Sequence, residues 1–246
     1  MCGRFALYSP PIRLSESLHL PFDYPVSELA PRYNVHPGTW IAAILRASPD
    51  QLPVLDEMWW GYQPKWAKGN APQSKLATAE KVATLGYFKG AFSHHRCLLP
   101  ADGWFEWLKT TTPRTPHFLC RLDREPMAFA GIYAEREDGA LGCAIITEPA
   151  RGCAQQIHDR MPLILDNDSL EPWLDPDLTD RETIRHLIRH LTRIGQNAGG
   201  GCLPVMCLLC FVISGFAASL KTRRSACVLA KSTVMQSVQW LMDTQT

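Results

Sequence analysis

The chain begins Met1-Cys2-Gly3-Arg4-Phe5, which puts a thiol one residue behind the initiator methionine. A residue as small as Cys2 permits removal of Met1, and residue 2 then carries a free α-amine and a thiol on adjacent carbons. No internal cysteine offers that pair. The amine condenses with an aldehyde to a Schiff base, and the thiol adds to the same carbon to close a thiazolidine ring. Ordinary acidities suit the task, since an α-amine titrates near ~7.7–8.0 and a cysteine thiol near ~8.5. The chemistry legible at this end is aldehyde capture or N-terminal nucleophilic attack.

Schiff-base chemistry needs groups that move protons. In Pro100-Ala101-Asp102-Gly103-Trp104-Phe105-Glu106-Trp107, Asp102-Gly103 signals a turn. Strand alternation after it places Trp104 and Glu106 on one face and Phe105 and Trp107 on the other. Packing beside a large aromatic favours the protonated carboxyl that a general acid requires. A further segment reads Ile157-His158-Asp159-Arg160-Met161-Pro162.

The elements that must hold these residues are mostly strands. Buried or alternating strands are expected over 40–45, 58–62, 104–107, 117–122, 127–133 and 141–147, and residues 32–38 read as a loop feeding the first. A second, proline-punctuated loop holds Pro64, Lys65 and Trp66. Trp59 and Trp60 are expected in the core. A short helix fits 14–20 before Pro21. Thr179-Asp180-Arg181-Glu182 reads as a capping box opening a helix with the stripe Ile184, Leu187, Ile188 and Leu191. His36, His94 and His95 receive no functional assignment.

The bulk numbers exclude several classes. With 246 residues, 46% of them hydrophobic, the chain can bury a substantial core in one principal domain. Its 25 basic and 24 acidic residues give a net charge of +1, so nucleic acid would have to be held by locally placed arginines and aromatics. Nine cysteines without a recognisable leader suggest reduced thiols in the cytoplasm.

The text changes character at about residue 196, dividing the chain into a domain over 1–195 and an atypical tail over 196–246. The tail holds Gly199-Gly200-Gly201 and an uncharged stretch over 198–220 that ends before Lys221, Arg223 and Arg224. Its length and polarity fit a membrane span, but Pro204 and Ser214 argue against one, and a frameshift or spliced-on segment accounts for the switch. Cys207 and Cys210 have zinc-knuckle spacing without a second ligand pair nearby, so no metal and no cofactor are expected.

Together with Arg32-Tyr33-Asn34-Val35-His36-Pro37-Gly38 and Trp60-Gly61-Tyr62, the segments at Cys2, Glu106 and His158 follow one another in the order of a known family. Over residues 1 to 190 the chain closely resembles the SOS response-associated peptidase (SRAP) family. The resemblance implies an α+β fold, mainly antiparallel β, with a barrel-like bifurcated sheet and surrounding helices. It implies a monomer, off the membrane, that recognises abasic sites in single-stranded DNA and cross-links the ring-opened sugar through Cys2 as a thiazolidine. It also implies an autopeptidase activity, which here would release Met1 alone.

By the same resemblance Cys2, Glu106 and His158 are the catalytic residues, with Glu106 as acid and base and His158 assisting ring opening or proton transfer. Arg4 and Arg160 would pair with phosphates, Asn34 would hydrogen-bond near the lesion, and Pro37 and Trp66 would stack on or wedge against flanking bases. The family pattern Asn-Ala-Arg-x-Glu-Thr falls on Leu76-Ala77-Thr78-Ala79-Glu80-Lys81, so a supporting asparagine and a phosphate-binding arginine have been replaced. Activity and affinity below those of a typical member are expected. The family's Trp/His-Pro-Val segment has no counterpart after residue 195.

Two other readings exist. One is a degenerate, non-catalytic single-stranded-DNA binder. The other is an N-terminal-nucleophile glutamine amidotransferase, whose chains also begin Met-Cys-Gly but whose expected Asn-Gly dipeptide is absent.

Overall fold

A computed structural model of the chain describes residues 2–24, 29–67, 71–108, 115–194 and 205–209. Strand β1 (Arg4–Leu7) leads into helix α1 (Pro11–Leu18), followed by β2 (Arg32–Val35), β3 (Trp40–Leu45), β4 (Val54–Trp60), β5 (Leu76–Thr78) and helix α2 (Lys89–His94). The middle is strands: β6 (Arg96–Ala101), β7 (Gly103–Leu108), β8 (Thr115–Arg121), β9 (Met127–Glu135) and β10 (Leu141–Pro149). A 3-10 turn (Gly152–Gln156) precedes β11 (Arg160–Pro162) and β12 (Ile164–Leu165). Helices α3 (Asn167–Leu174) and α4 (Arg181–Ile194) and strand β13 (Val205–Leu209) complete the order.

Pairing of β9 with β10 closes the run β10-β4-β3-β6-β9 into a five-strand barrel, with β5, β11 and β12 attached to its rim. Most of its pairings are antiparallel, and β4 and β5 run parallel to β10. A second sheet has the order β13-β8-β7-β1-β2 and is antiparallel throughout. The fold is α+β and mainly antiparallel, as the sequence led us to expect.

Phe5 ties the two sheets together. It sits on β1, yet its ring lies 5.3 Å from Trp60 on β4 and 6.0 Å from Phe129 on β9. All three rings are buried, and each removes enough apolar surface to stabilise the fold by about 1.5–3 kcal/mol. The amino-terminal strand is thus part of the core.

Asp102 fixes the far end of the same strand. Its buried carboxylate accepts from the Tyr8 N–H at 2.6 Å, the Ser9 N–H at 2.9 Å and the Ser9 hydroxyl at 2.6 Å. The next residue has to be glycine: a Cβ on Gly103 would lie 2.4 Å from the Phe118 ring and 2.5 Å from the Leu119 carbonyl oxygen. The Asp102-Gly103 turn therefore sets the register that Glu106 inherits.

Several local expectations change. Residues 32–35 form strand β2, because β1 offers an edge whose partners a sequence does not display. Helix α1 starts earlier, at Pro11, where a missing N–H has no consequence. Helix α4 is capped by Asp180, which accepts from the Thr183 N–H at 2.8 Å and the Thr183 hydroxyl at 2.7 Å, so Thr179 is not the cap. Trp60 is buried as expected, but Trp59 is half-exposed, with the Arg136 guanidinium 5.4 Å from its ring centroid and Trp40 against its edge.

In the tail, Val205–Leu209 pair with β8 as an edge strand, which departs from the membrane-span reading for those residues. Among the described residues no helix is long and apolar enough to cross a membrane. The remainder of 196–246, with Cys210, lies outside the described residues.

Candidate active site

Cys2 lies two residues before the start of β1 and is fully buried within the main core. Because β1 runs antiparallel to β7, with Arg4 opposite Phe105 and Phe5 opposite Trp104, the start of the chain is laid against the strand that carries Glu106. Burial raises the pKa of the Cys2 thiol well above its ordinary value, the nearby Glu106 charge adds to the rise, and the positive amino terminus offsets part of it. This corrects the sequence expectation of an unperturbed thiol. At neutral pH the sulfur is protonated and needs a base.

Glu106 is buried on the face that also holds Trp104, as alternation predicted. Phe105 and the partly buried Trp107 belong to a second apolar cluster on the other face of the sheet. Opposite Glu106 on β8 stands His117, also buried. On the other side of the amino-terminal strand, the Arg4 guanidinium donates to Asn34 Oδ1 at 2.9 Å, which orients one charge and one amide as a pair.

His158 follows the 3-10 turn and is held by its own N–H, which donates to the Ala154 carbonyl at 2.9 Å. Its Nδ1 accepts from the Arg160 N–H at 3.0 Å and lies 2.7 Å from Asp159 Oδ1. The two contacts belong to different protonation states. A neutral ring accepts the Arg160 N–H and carries its proton on Nε2, whereas an imidazolium gives Nδ1–H to Asp159.

Arg160 is already engaged. Its guanidinium grips both oxygens of Glu80 at 2.6 and 3.0 Å and donates to the Thr147 carbonyl at 2.6 Å. Arg160 holds the Glu80 carboxyl below the usual carboxylate range. Two residues before Glu80, Thr78 pairs in register with Thr147, and Leu76 pairs with Ile145 and packs against the core. At position 76 an apolar contact therefore stands where an amide would offer hydrogen bonds.

The two loop residues sit apart from the Cys2 and Glu106 pair in their contacts. Trp66 is 62% exposed and meets the edge of Tyr87 at 5.8 Å. Pro37 is half-exposed at the β2–β3 turn, which needs Gly38 at a φ of +79° and is closed by the Gly38 N–H donating to the Trp60 carbonyl at 2.9 Å. Among the described residues no group of three or more His, Cys, Asp and Glu side chains is arranged to hold a metal ion.

Sequence reasoning missed Asp102, Thr147 and His117 as residues that build the site, and Glu80 as the partner of Arg160. Alternation could have pointed to His117, but only once β8 was known to flank β7.

A buried thiol at residue 2 beside a buried carboxylate, on a strand that ties a sheet to a barrel, defines the class of fold and candidate site. Residues 1–197 match the family model described as SOS response associated peptidase (SRAP), and the chain belongs to that family. It is 33% identical over 211 residues to the abasic site processing protein YedK of Escherichia coli (strain K12), covering 83% of this chain and 88% of that protein. It is 32% identical over 193 residues to the abasic site processing protein YoqW of Bacillus subtilis (strain 168), covering 75% of this chain and 85% of that protein. Among solved structures, a phage-related protein from Bordetella bronchiseptica superposes with a TM-score of 0.65 at 30% identity, covering 85% of this chain and 93% of that one.

Proposed function

We propose that this protein recognises abasic sites in single-stranded DNA and captures the ring-opened sugar aldehyde through Cys2 once Met1 is removed. The observation that carries the reading is the burial of the Cys2 thiol within reach of the Glu106 charge, in a family whose relatives are named for abasic site processing.

The amine of residue 2 adds to the aldehyde carbon, and loss of one water from the carbinolamine leaves an imine. Glu106 protonates the departing hydroxyl and becomes a carboxylate. That carboxylate then takes the Cys2 S–H proton as sulfur bonds to the carbon of the still protonated imine, and the C=N electron pair passes to nitrogen as the thiazolidine closes. The sequence releases one water and needs no oxidant or reductant. The neutral ring of His158 hydrogen-bonds through Nε2–H to the sugar ring oxygen during ring opening, as the proton of the anomeric hydroxyl passes to that oxygen.

Arg4 and Asn34, coupled to each other, contact the backbone and the lesion, and Pro37 and Trp66 support flanking bases. Arg160 reaches a phosphate only by giving up Glu80. A second reading, binding without covalent capture, is favoured by the apolar packing of Leu76 and by Thr78 in place of a cation.

The test mixes the purified full chain with an abasic single-stranded oligonucleotide. A denaturant-stable adduct that is absent in Cys2→Ala, on a chain whose intact mass lacks Met1, is the expected result. Binding without an adduct would leave the second reading, and neither binding nor adduct would remove both.

A further inference from the structure

The pairing of β7 with β8 lines up two columns of side chains. Phe105 lies opposite Phe118 on one face with ring centroids 4.9 Å apart, so opposed residues of these strands touch. On the other face Trp104 lies opposite Leu119, and Glu106 lies opposite His117. Glu106 and His117 are only 3% and 6% exposed. Directly opposed residues of an antiparallel pair have Cβ atoms roughly 4.5–5.5 Å apart. An imidazole and a carboxyl at that spacing, both withdrawn from water, are close enough to interact directly.

The amino-terminal strand brings the Cys2 thiol within range of the Glu106 charge. Trp104, Phe5 and Leu119 lie on the same face. His117 is therefore the imidazole that the sheet register assigns to Glu106.

We propose that His117 is a positioning residue that stabilises the carboxylate form of Glu106 and so keeps a base available to the Cys2 thiol during ring closure. The proposal rests on the reading of Glu106 given above. Without His117, the carboxylate left when Glu106 has protonated the departing hydroxyl is reprotonated at higher pH than in the wild type. The buried thiol then has nowhere to send its own proton, and the imine persists.

The test uses the full chain with His117→Phe, which fills the strand position without a ring nitrogen, and His117→Gln, which restores a polar N–H. The first readout is the pH titration of the Glu106 carboxyl NMR resonance in DNA-free, isotope-labelled protein, assigned by its loss in Glu106→Gln. The midpoint should rise by about one pH unit or more in His117→Phe and move back toward wild type in His117→Gln. The second readout is single-turnover reaction with the abasic oligonucleotide. His117→Phe should accumulate borohydride-trappable imine, with closure slowed about tenfold or more near neutral pH and recovering at alkaline pH.

An unmoved carboxyl midpoint overturns the proposal, as does a rate loss equal at every pH that follows a loss of thermal stability. If the wild type yields no adduct while the midpoint still moves, the link between His117 and Glu106 stands and the capture function fails.

Discussion

Arg160 and Glu80 meet through both guanidinium nitrogens and both carboxylate oxygens, so the arginine expected to face DNA is held by an acid on a neighbouring segment. Their side chains are 19% and 50% exposed, a setting in which such a pair contributes about 0.2–1 kcal/mol. Its main effect is on where the positive charge points.

Replacing Glu80 with glutamine should therefore tighten binding to single-stranded DNA rather than weaken it. The slope of log affinity against log salt should steepen by about 0.7, the value for one added phosphate contact on a single strand. Glu80 is held low by Arg160, so the pair's stability contribution is present above the unfolded carboxyl value of about 4.3 and is lost as pH falls through the lower folded value. Titration of binding against salt, and of unfolding between about pH 6 and pH 3, checks both statements.

Asp102→Ala should loosen the amino-terminal strand. The buried carboxylate satisfies two backbone donors and one hydroxyl, and its removal should cost ~3 kcal/mol. Amide exchange at Tyr8 and Ser9 should accelerate far more than exchange in β9. Equal protection in mutant and wild type would show that Phe5 alone anchors the strand.

Three fully buried thiols make the fold sensitive to alkali. Burial raises Cys2, Cys97 and Cys143 above their ordinary values, with Glu106 adding to the shift at Cys2 and Cys143 adding to the shift at Cys97. Folded values above unfolded ones mean that the stabilisation is complete below about pH 8.5 and is lost as pH rises from there. Denaturation midpoints should decline between about pH 8.5 and pH 10. Cys143→Ala should lower stability at neutral pH while flattening that decline.

Trp66→Ala should separate binding from folding. The ring is 62% exposed, so thermal stability should change little. Affinity for single-stranded DNA should fall by the ~1–3 kcal/mol of one lost base-stacking platform. Fluorescence anisotropy and a melting curve on the same protein suffice.

The sequence by itself determined where a thiol stands beside the start of the chain, the alternation that puts Glu106 and Trp104 on one face, and the run of strands from Trp104 to Thr147. These follow from covalent order and from the period of two, which need no knowledge of neighbours. Residues 32–35 were misread as a loop because a half-exposed strand beside a proline-glycine turn gains its identity from the β1 edge it pairs with.

Only the tertiary structure decided the state of each functional group. Strand order put His117 opposite Glu106, rim packing gave Arg160 to Glu80, and burial raised the Cys2 thiol out of its ordinary range. Those outcomes depend on distance and desolvation between segments far apart in the chain, and a string of residue types carries neither.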